Sequence, residues 1–412
     1  MEPGAGAMSD DRPAPADFLA RFQRKIAANA AAWQAFLQEQ GDAAAVEREL
    51  ANLIKAAQQA LWEPLAWEAG LDLVGATWRH AELAGHWQKW QHLLAQGLEV
   101  SRQAGRVDYE ALLLDQLGEA SRLAGDNRGA AAHFQASLAL FRALEDPAGA
   151  ARTLSHLSQV QLAHNDWAAA ASSCQEAAAI FQALQQPESL GLVYNNWGLV
   201  CQEQEQFDEA LLHFEQAAAA FQRAGNRRGE AKTIINRSDV WRRRQAWEEA
   251  EGYLRAGIAL YEAVGDPLHS ASAQMNLGIL LFETGRPAEA LALSLEAEAV
   301  FRRLGHRPFL ARICNNQGIF LAALDRRTEA QEAFEESARL HLENGDQLYA
   351  ASALINDAEV LLDQRRVAEA DEQLAQAGAL LNAVASPPRW VLKDFQLQEA
   401  RLKELKGTQQ VA

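Results

Sequence analysis

A strict internal repeat constrains this chain more than any other feature. Asn196, Asn236, Asn276, Asn316 and Asn356 recur at every fortieth position without slippage, and stepping back from Asn196 gives His156 and Gln116. A second column holds Ala130, Ala170, Ala210, Ala250, Ala290, Ala330 and Ala370. From Glu209 onward a Glu precedes it, at Glu249, Glu289, Glu329 and Glu369. A third column is aromatic, with Phe141, Phe181, Phe221, Tyr261 and Phe301 before His341 breaks it. A fourth is Gly225, Gly265, Gly305 and Gly345. Such columns imply stacked supersecondary units, each burying its apolar face against its neighbours, and not a set of independent globular domains.

Each period reads as two helices. In the unit around Asn196 the first helix is expected from about Leu190 to Glu203, a polar turn at Gln204–Gln206, and the second helix from about Phe207 to Arg223. Ala210, Leu211, Phe214, Ala217, Ala218 and Phe221 fall at spacings of three and four, which is one helical face. Gly225 supplies a left-handed cap. Asp146–Pro147 and Asp266–Pro267 read as an N-cap followed by Pro at the first helical position. Small residues at Gly198, Gly278 and Gly318 let paired helices approach, and the aromatic column fills the space between pairs.

The ends depart from the pattern. Residues 1–16 read as a disordered tail, and 17–68 as a helical cap of one or two amphipathic helices broken at Gly41–Asp42. Eight units follow over 69–388, the first degenerate, with Trp78 where other units carry a small residue. Ser386-Pro387-Pro388 stops the last unit. Residues 389–412 then form a capping helix to about Lys406, with Val391, Leu392 and Phe395 inward, and a frayed tail.

Composition narrows the function. A net charge of −17 disfavours a general role on nucleic acid or anionic membranes. No apolar run is long enough to span a bilayer. The N-terminus lacks the basic start and apolar stretch of a signal peptide, and three cysteines make no disulfide framework, so a cytoplasmic setting is expected. Cys174, Cys201 and Cys314 fall in core register. His80, His86 and His92 are six apart, which is not one helical face, so no metal is expected. No phosphate-binding GxxxxGK[ST], nucleophile elbow or Ser/His/Asp order occurs. The expectation is therefore no cofactor and no catalysis, an enzyme with a cryptic groove site being the least favoured reading. Trp62, Trp67, Trp78, Trp87 and Trp90 read as the core of the cap, with a ligand platform as the alternative.

The columns together resemble the tetratricopeptide repeat: a small residue in the first helix, Ala and a bulky apolar residue in the second, Gly-Asp between units. Leu277-Gly278, Ala290, Leu291 and Ala297 match, whereas Ser294 stands where Phe214 stands two units earlier. The resemblance covers about residues 70–388 and implies an all-α, right-handed superhelical solenoid of antiparallel helix pairs. The 40-residue variant is similar to kinesin light chain repeats and to the repeat sensor regions of bacterial STAND regulators, whose ATPase motif this sequence lacks.

The resemblance also implies a groove lined by first helices, with an Asn two residues before the small position. That maps onto Asn196, Asn236, Asn276, Asn316 and Asn356, with His156 in the same column and Asn195 and Asn315 doubling the amide. A carboxamide both donates and accepts, and so suits the backbone of an extended peptide. The alternative is that these residues bond the adjacent helix and set repeat geometry. One turn earlier, Arg152, Lys232 and Arg312 suit acidic groups, or are ordinary solvated charge. Residues 222–244 hold eight basic side chains, among them Arg227, Arg228, Arg237, Arg242, Arg243 and Arg244, against Glu230 and Asp239. They form either a docking patch for an acidic partner or a complement to acids such as Glu248, Glu249 and Glu251. The expected function is a bacterial scaffold, monomer favoured, that binds a protein or peptide segment. The alternative is a sensor or adaptor arm acting with a separate NTPase or effector.

Overall fold

The computed structural model describes residues 15–39, 43–63, 66–84, 87–384 and 387–411. These hold nineteen α-helices and no strand. They are α1 (Pro15–Glu39), α2 (Ala43–Leu61), α3 (Trp67–Ala84), α4 (Trp87–Gln103), α5 (Val107–Leu123), α6 (Asn127–Ala143), α7 (Pro147–Ala163), α8 (Trp167–Ala183), α9 (Pro187–Glu203) and α10 (Phe207–Ala224). There follow α11 (Arg227–Arg243), α12 (Trp247–Ala263), α13 (Pro267–Glu283), α14 (Pro287–Leu304), α15 (Arg307–Ala323), α16 (Arg327–Glu343), α17 (Gln347–Asp363), α18 (Val367–Ala383) and α19 (Arg389–Val411). The chain divides into two compact units, residues 1–213 and 214–412. The expected tail lies mostly outside the described residues, as do the Gly41–Asp42 break and Ser386.

The helices are spaced by one recurring connection. From Gly105 to Arg365 a residue with φ between 54° and 84° stands at every twentieth position, seven times as Gly and seven times as another residue. The N–H after each such residue reaches back across five residues, as in Asp146 N to Phe141 O at 3.0 Å and Asp266 N to Tyr261 O at 2.9 Å. The left-handed residue itself donates across three, as in Gly265 N to Glu262 O at 3.0 Å. This pair of bonds satisfies carbonyls that the helix end would otherwise orphan. The residue after it is at once the end of one helix and the N-cap of the next. Asp146 Oδ1 accepts from Gly149 N at 2.9 Å, and Asp126, Asp166, Asn226, Asp266 and Asp346 do the same three residues ahead. The polar turn at Gln204–Gln206 is the same device, with Glu205 at φ 59° in place of Gly.

The Glu column has a local cause. Where the N-cap is Arg, its guanidinium forks onto the Glu three residues on, as Arg286 does with Glu289 and Arg326 with Glu329. Arg366 and Glu369 repeat the pairing. The carboxylate sits in the first turn, where the helix dipole favours negative charge.

Two helix boundaries differ from expectation. α9 begins at Pro187, because Pro at the first position has its φ already set and loses no hydrogen bond. α19 continues through Gly407 to Val411, since a single Gly costs a helix only about 1 kcal/mol and nothing stronger interrupts it.

The cores lie between successive pairs. In the first unit Phe134, Phe141, Leu154, Cys174 and Phe181 form one buried cluster. In the second, Leu254, Leu277, Leu281, Phe320 and Phe334 form one, and Met275, Phe301, Ile313 and Cys314 another. Leu354, Leu362, Leu374, Val391 and Leu402 close the C-terminal end, with Leu392 and Phe395 packed against them. All three cysteines are buried, and burial pushes Cys174 up to about 12 and Cys201 to about 11.

The small column of the first helices is required by the aromatic opposite it. A Cβ on Gly318 would meet the Phe334 ring at 2.5 Å, and one on Gly118 the Phe134 ring at 2.6 Å. The unit that departs at Ser294 lacks that ring. A Cβ on Gly278 meets nothing closer than Ala290 O at 3.5 Å, and Phe320 packs beside Phe282 at 5.3 Å instead. Overpacking a core costs about 1–3 kcal/mol, while Ala in place of Gly inside a helix gains about 1 kcal/mol. Gly118→Ala and Gly318→Ala are therefore expected to lower the melting temperature, and Gly278→Ala to leave it unchanged or raise it, when the three variants are compared by thermal denaturation.

Candidate functional site

The Asn column lies on the first helices of the pairs, and the structure divides it by what stands 41 positions earlier, on the preceding first helix. Asn196, 8% exposed on α9, donates its Nδ2 to Ser155 O and Ser155 Oγ on α7, both at 3.2 Å. His156 on α7 meets Asp115 on α5, Nδ1 to Oδ1 at 3.1 Å. Gln116 on α5 donates to Gly75 O on α3 at 3.3 Å, and Asn356 on α17 donates to Asn315 Oδ1 on α15 at 3.0 Å. Asn195 is buried, Asn236 is partly exposed, and both interact within the protein.

Two rungs differ. The corresponding residue before Asn276 is Ile235, and that before Asn316 is Met275. Neither side chain matches the bonds of a carboxamide. Asn276 and Asn316 are partly exposed and make no hydrogen bond with a described residue. Asn316 instead faces a cavity of about 150 Å³ in the second unit. Its lining comes from α13 (Ile279), α15 (Arg312, Asn315 and Asn316), the last turn of α16 (His341) and α17 (Tyr349 and Ser352). Arg312 is exposed, lies 5.8 Å from the centre of the Phe309 ring, and has no carboxylate partner among the described residues.

The other predicted cations are placed differently. Arg152 pairs with the buried Asp115, Nε to Oδ2 at 3.2 Å, and Lys232 is exposed. The arginines of 222–244 are spread over acids of their own surroundings. Arg227 meets Glu230 at 3.0 Å, Arg228 meets Asp266 at 3.0 Å, and Arg242 meets Asp239 at 2.7 Å and Glu283 at 2.9 Å. Arg243 reaches Asp239 at 3.0 Å, Arg237 stacks 4.6 Å over Tyr253 and donates to its hydroxyl, and Arg244 lies 5.6 Å over Trp241. These acids are not the Glu248, Glu249 and Glu251 of the sequence reading: Glu230 and Asp239 lie one turn away on α11 itself, and Asp266 and Glu283 come with α13. Glu251 is held by Arg255 and Arg286.

In the N-terminal region Trp90 is fully buried, Trp67 packs on the same core and Trp62 is 66% exposed. The side chains of Trp78 and Trp87 lie outside the described residues, as do those of His80 and His86. Among the described residues no group of three or more His, Cys, Asp and Glu could hold a metal ion, and no helix is long and apolar enough to cross a membrane.

Sequence reasoning did not single out Asp115, Thr153, Ile279, His341, Tyr349 or Ser352. The lining residues of the cavity carry no signal of that role in the sequence, whereas the acid Asp115 stands one period and one position before His156. Burial raises the Asp115 pKa, but the facing His156, Arg152 and the Thr153 hydroxyl, 2.9 Å away, outweigh this and hold it below the usual carboxylate range. Burial lowers His156, but Asp115 and Glu119 outweigh that in turn, against Arg152, and lift it above its ordinary value. A histidine raised in the folded state contributes stability that is full below its unfolded pKa, about 6.5, and is lost as pH rises through the folded value. His156→Gln is therefore expected to lower the melting temperature by roughly 2–4 °C more at about pH 6 than at about pH 9, in melts across that range.

Residues 189–263 and 269–340 match the family model of the tetratricopeptide repeat. No curated protein matches the sequence significantly. Among solved structures, the chain is similar to a STAND protein (Signal Transduction ATPase with Numerous Domains) with a tetratricopeptide repeat sensor from Pyrococcus horikoshii. That match has 14% identity over 92% of this chain and 55% of that one, with a TM-score of 0.59. A Rap protein complexed with Competence and Sporulation Factor is 14% identical over 91% of this chain and 99% of that one, with a TM-score of 0.57. The apo quorum sensor NprR from B. thuringiensis is 13% identical over 87% and 99%, with a TM-score of 0.55. At such identities the likeness is one of fold. The chain carries tetratricopeptide repeats over residues 189–263 and 269–340, set among tandem helix pairs of the same all-α fold.

Proposed function

We propose that this protein is an interaction scaffold that binds an extended peptide or protein segment on the first-helix face of its second unit, across α13, α15 and α17. The observation that carries the reading is the division of the Asn column. Asn196 and Asn356 donate to acceptors on neighbouring helices, whereas Asn276 and Asn316 keep a donor and an acceptor for a ligand backbone. An unengaged Asn inside a helix is otherwise unfavourable, because its side chain competes with the backbone. The cavity beside Asn316 adds a cation, Arg312, and a second amide, Asn315. Arg152, Lys232, Asn236 and the arginines of 222–244 have a lesser part in this reading, and an acidic ligand is favoured by Arg312 rather than by that stretch.

The likeness to a Rap protein complexed with Competence and Sporulation Factor supports ligand capture as a use of this fold. A second reading rests on the likeness to a tetratricopeptide repeat sensor of a STAND protein. In it the same face belongs to a sensor or adaptor arm acting with a separate ATPase, in a bacterial cytoplasm. Both readings place the work in binding and not in catalysis.

The test separates structural from ligand rungs. Each carboxamide bond is worth about 0.5–1.5 kcal/mol net. Asn276→Ala with Asn316→Ala is expected to leave the melting temperature unchanged and to weaken binding to an immobilised array of hexapeptides by roughly tenfold. Asn196→Ala with Asn356→Ala is expected to lower the melting temperature by a few degrees. An array on which the Asn276/Asn316 variant binds as well as the unaltered protein would contradict the proposal.

A further inference from the structure

The cavity beside Asn316 has a wall that extends beyond it. Tyr349, which lines the cavity from α17, stacks on His341 with ring centres 5.6 Å apart and planes 22° apart. His341 is 4% exposed and so anchors the stack from the core side. Tyr349 also lies 6.4 Å from the ring of Trp390, which is supplied by α19, outside the repeating pairs. Tyr349 is 46% exposed and Trp390 47%. Two large rings left half in water, held in place from behind and joined to a pocket, form a ledge that an apolar side chain would cover.

Charge decides the neighbouring position. Arg312 reaches the cavity with no carboxylate partner among the described residues, although acids outnumber basic residues in the chain by 55 to 38. The other lining groups that carry or donate protons are Asn315, Asn316, His341, Tyr349 and Ser352, so no acid is among the lining residues; Asp346, behind them, is engaged by His341 Nδ1 at 3.5 Å and by Tyr349 N at 3.2 Å. The volume of about 150 Å³ suits one side chain. In an extended peptide, side chains two residues apart point the same way and are separated by roughly 6.6 Å.

Building on the peptide-binding reading, we propose that pocket and ledge form one specificity subsite for an acidic side chain and a large apolar side chain two residues apart. The acidic side chain enters the pocket against Arg312 and Asn316. The apolar one, aromatic or long aliphatic, lies over Tyr349 and Trp390. The terminal helix is then part of the ligand face as well as the end of the stack.

The test uses the full chain and an array of N-acetylated, C-amidated hexapeptides, so that only side chains supply carboxylates. The array varies the residue type at every position. The expected result is a preference for Asp or Glu two residues from Trp, Phe, Tyr or Leu. Trp390→Ala is expected to reduce the apolar preference about tenfold and keep the acidic one, and Arg312→Ala to do the reverse. Circular dichroism melts on both variants check the fold, and Trp390→Phe is expected to restore binding. Peptides that bind and depend on Asn316, but show neither preference, would overturn the subsite while leaving the peptide-binding reading standing. An array with no bound peptide would overturn both.

Discussion

The repeating part of this protein depends on one short connection that recurs from Gly105 to Arg365. A helix stops, one residue turns left-handed, and the next residue both closes the old helix and caps the new one. Because the left-handed residue recurs at every twentieth position, the helices from α5 to α18 have nearly the same length and their pairs the same register. The columns in the sequence follow from this. A slip of one residue would turn each apolar stripe by about 100° and take the aromatic ring away from the glycine that receives it. The seven non-glycine residues at left-handed positions show how strongly the context fixes the turn, since each gives up roughly 1 kcal/mol to adopt it.

Fixed register turns a single position into a set of parallel experiments. At Gln116, His156, Asn196 and Asn356 the same column of the first helices meets the residue 41 positions earlier on the preceding first helix. What happens there is decided by the chemistry of two residues. Where the facing residue is Ser155 or Asn315, the amide is drawn into the fold. Where it is Asp115, the column has become His156, and an ion pair replaces the amide bond. Where the residue 41 positions earlier is Ile235 or Met275, Asn276 and Asn316 make no hydrogen bond with a described residue. In the proposed function, structural and binding roles for one column are therefore not alternatives but are distributed along it.

Much of this was legible in the sequence, and the rest was hidden for physical reasons. The period, the helix pairs and the N-caps at Asp146 and Asp266 were readable because they depend on residues close in sequence. The small positions were readable as places of close approach but their ring partners were not, and Ser294, noted as a departure, stands opposite a glycine that admits no ring. Of the ion pairs of residues 222–244, those of Arg227, Arg242 and Arg243 with Glu230 and Asp239 lie one helical turn apart, but those with Asp266 and Glu283 were not readable, because these acids come with a neighbouring first helix. Nor was the cavity, which needs Tyr349 and His341 from different helices to stack beside Asn316. The relation between each rung and its facing residue was present in the sequence, but only the packing of consecutive first helices shows that those two positions meet.

The division of the column can be measured at the carboxamides themselves. In protein labelled at asparagine side chains, NMR hydrogen exchange reports each NH₂ group separately. Slow exchange is expected at Asn196 and Asn356, which bond to neighbouring helices, and fast exchange at Asn276 and Asn316 in the free protein. Equal protection at all four would contradict the division.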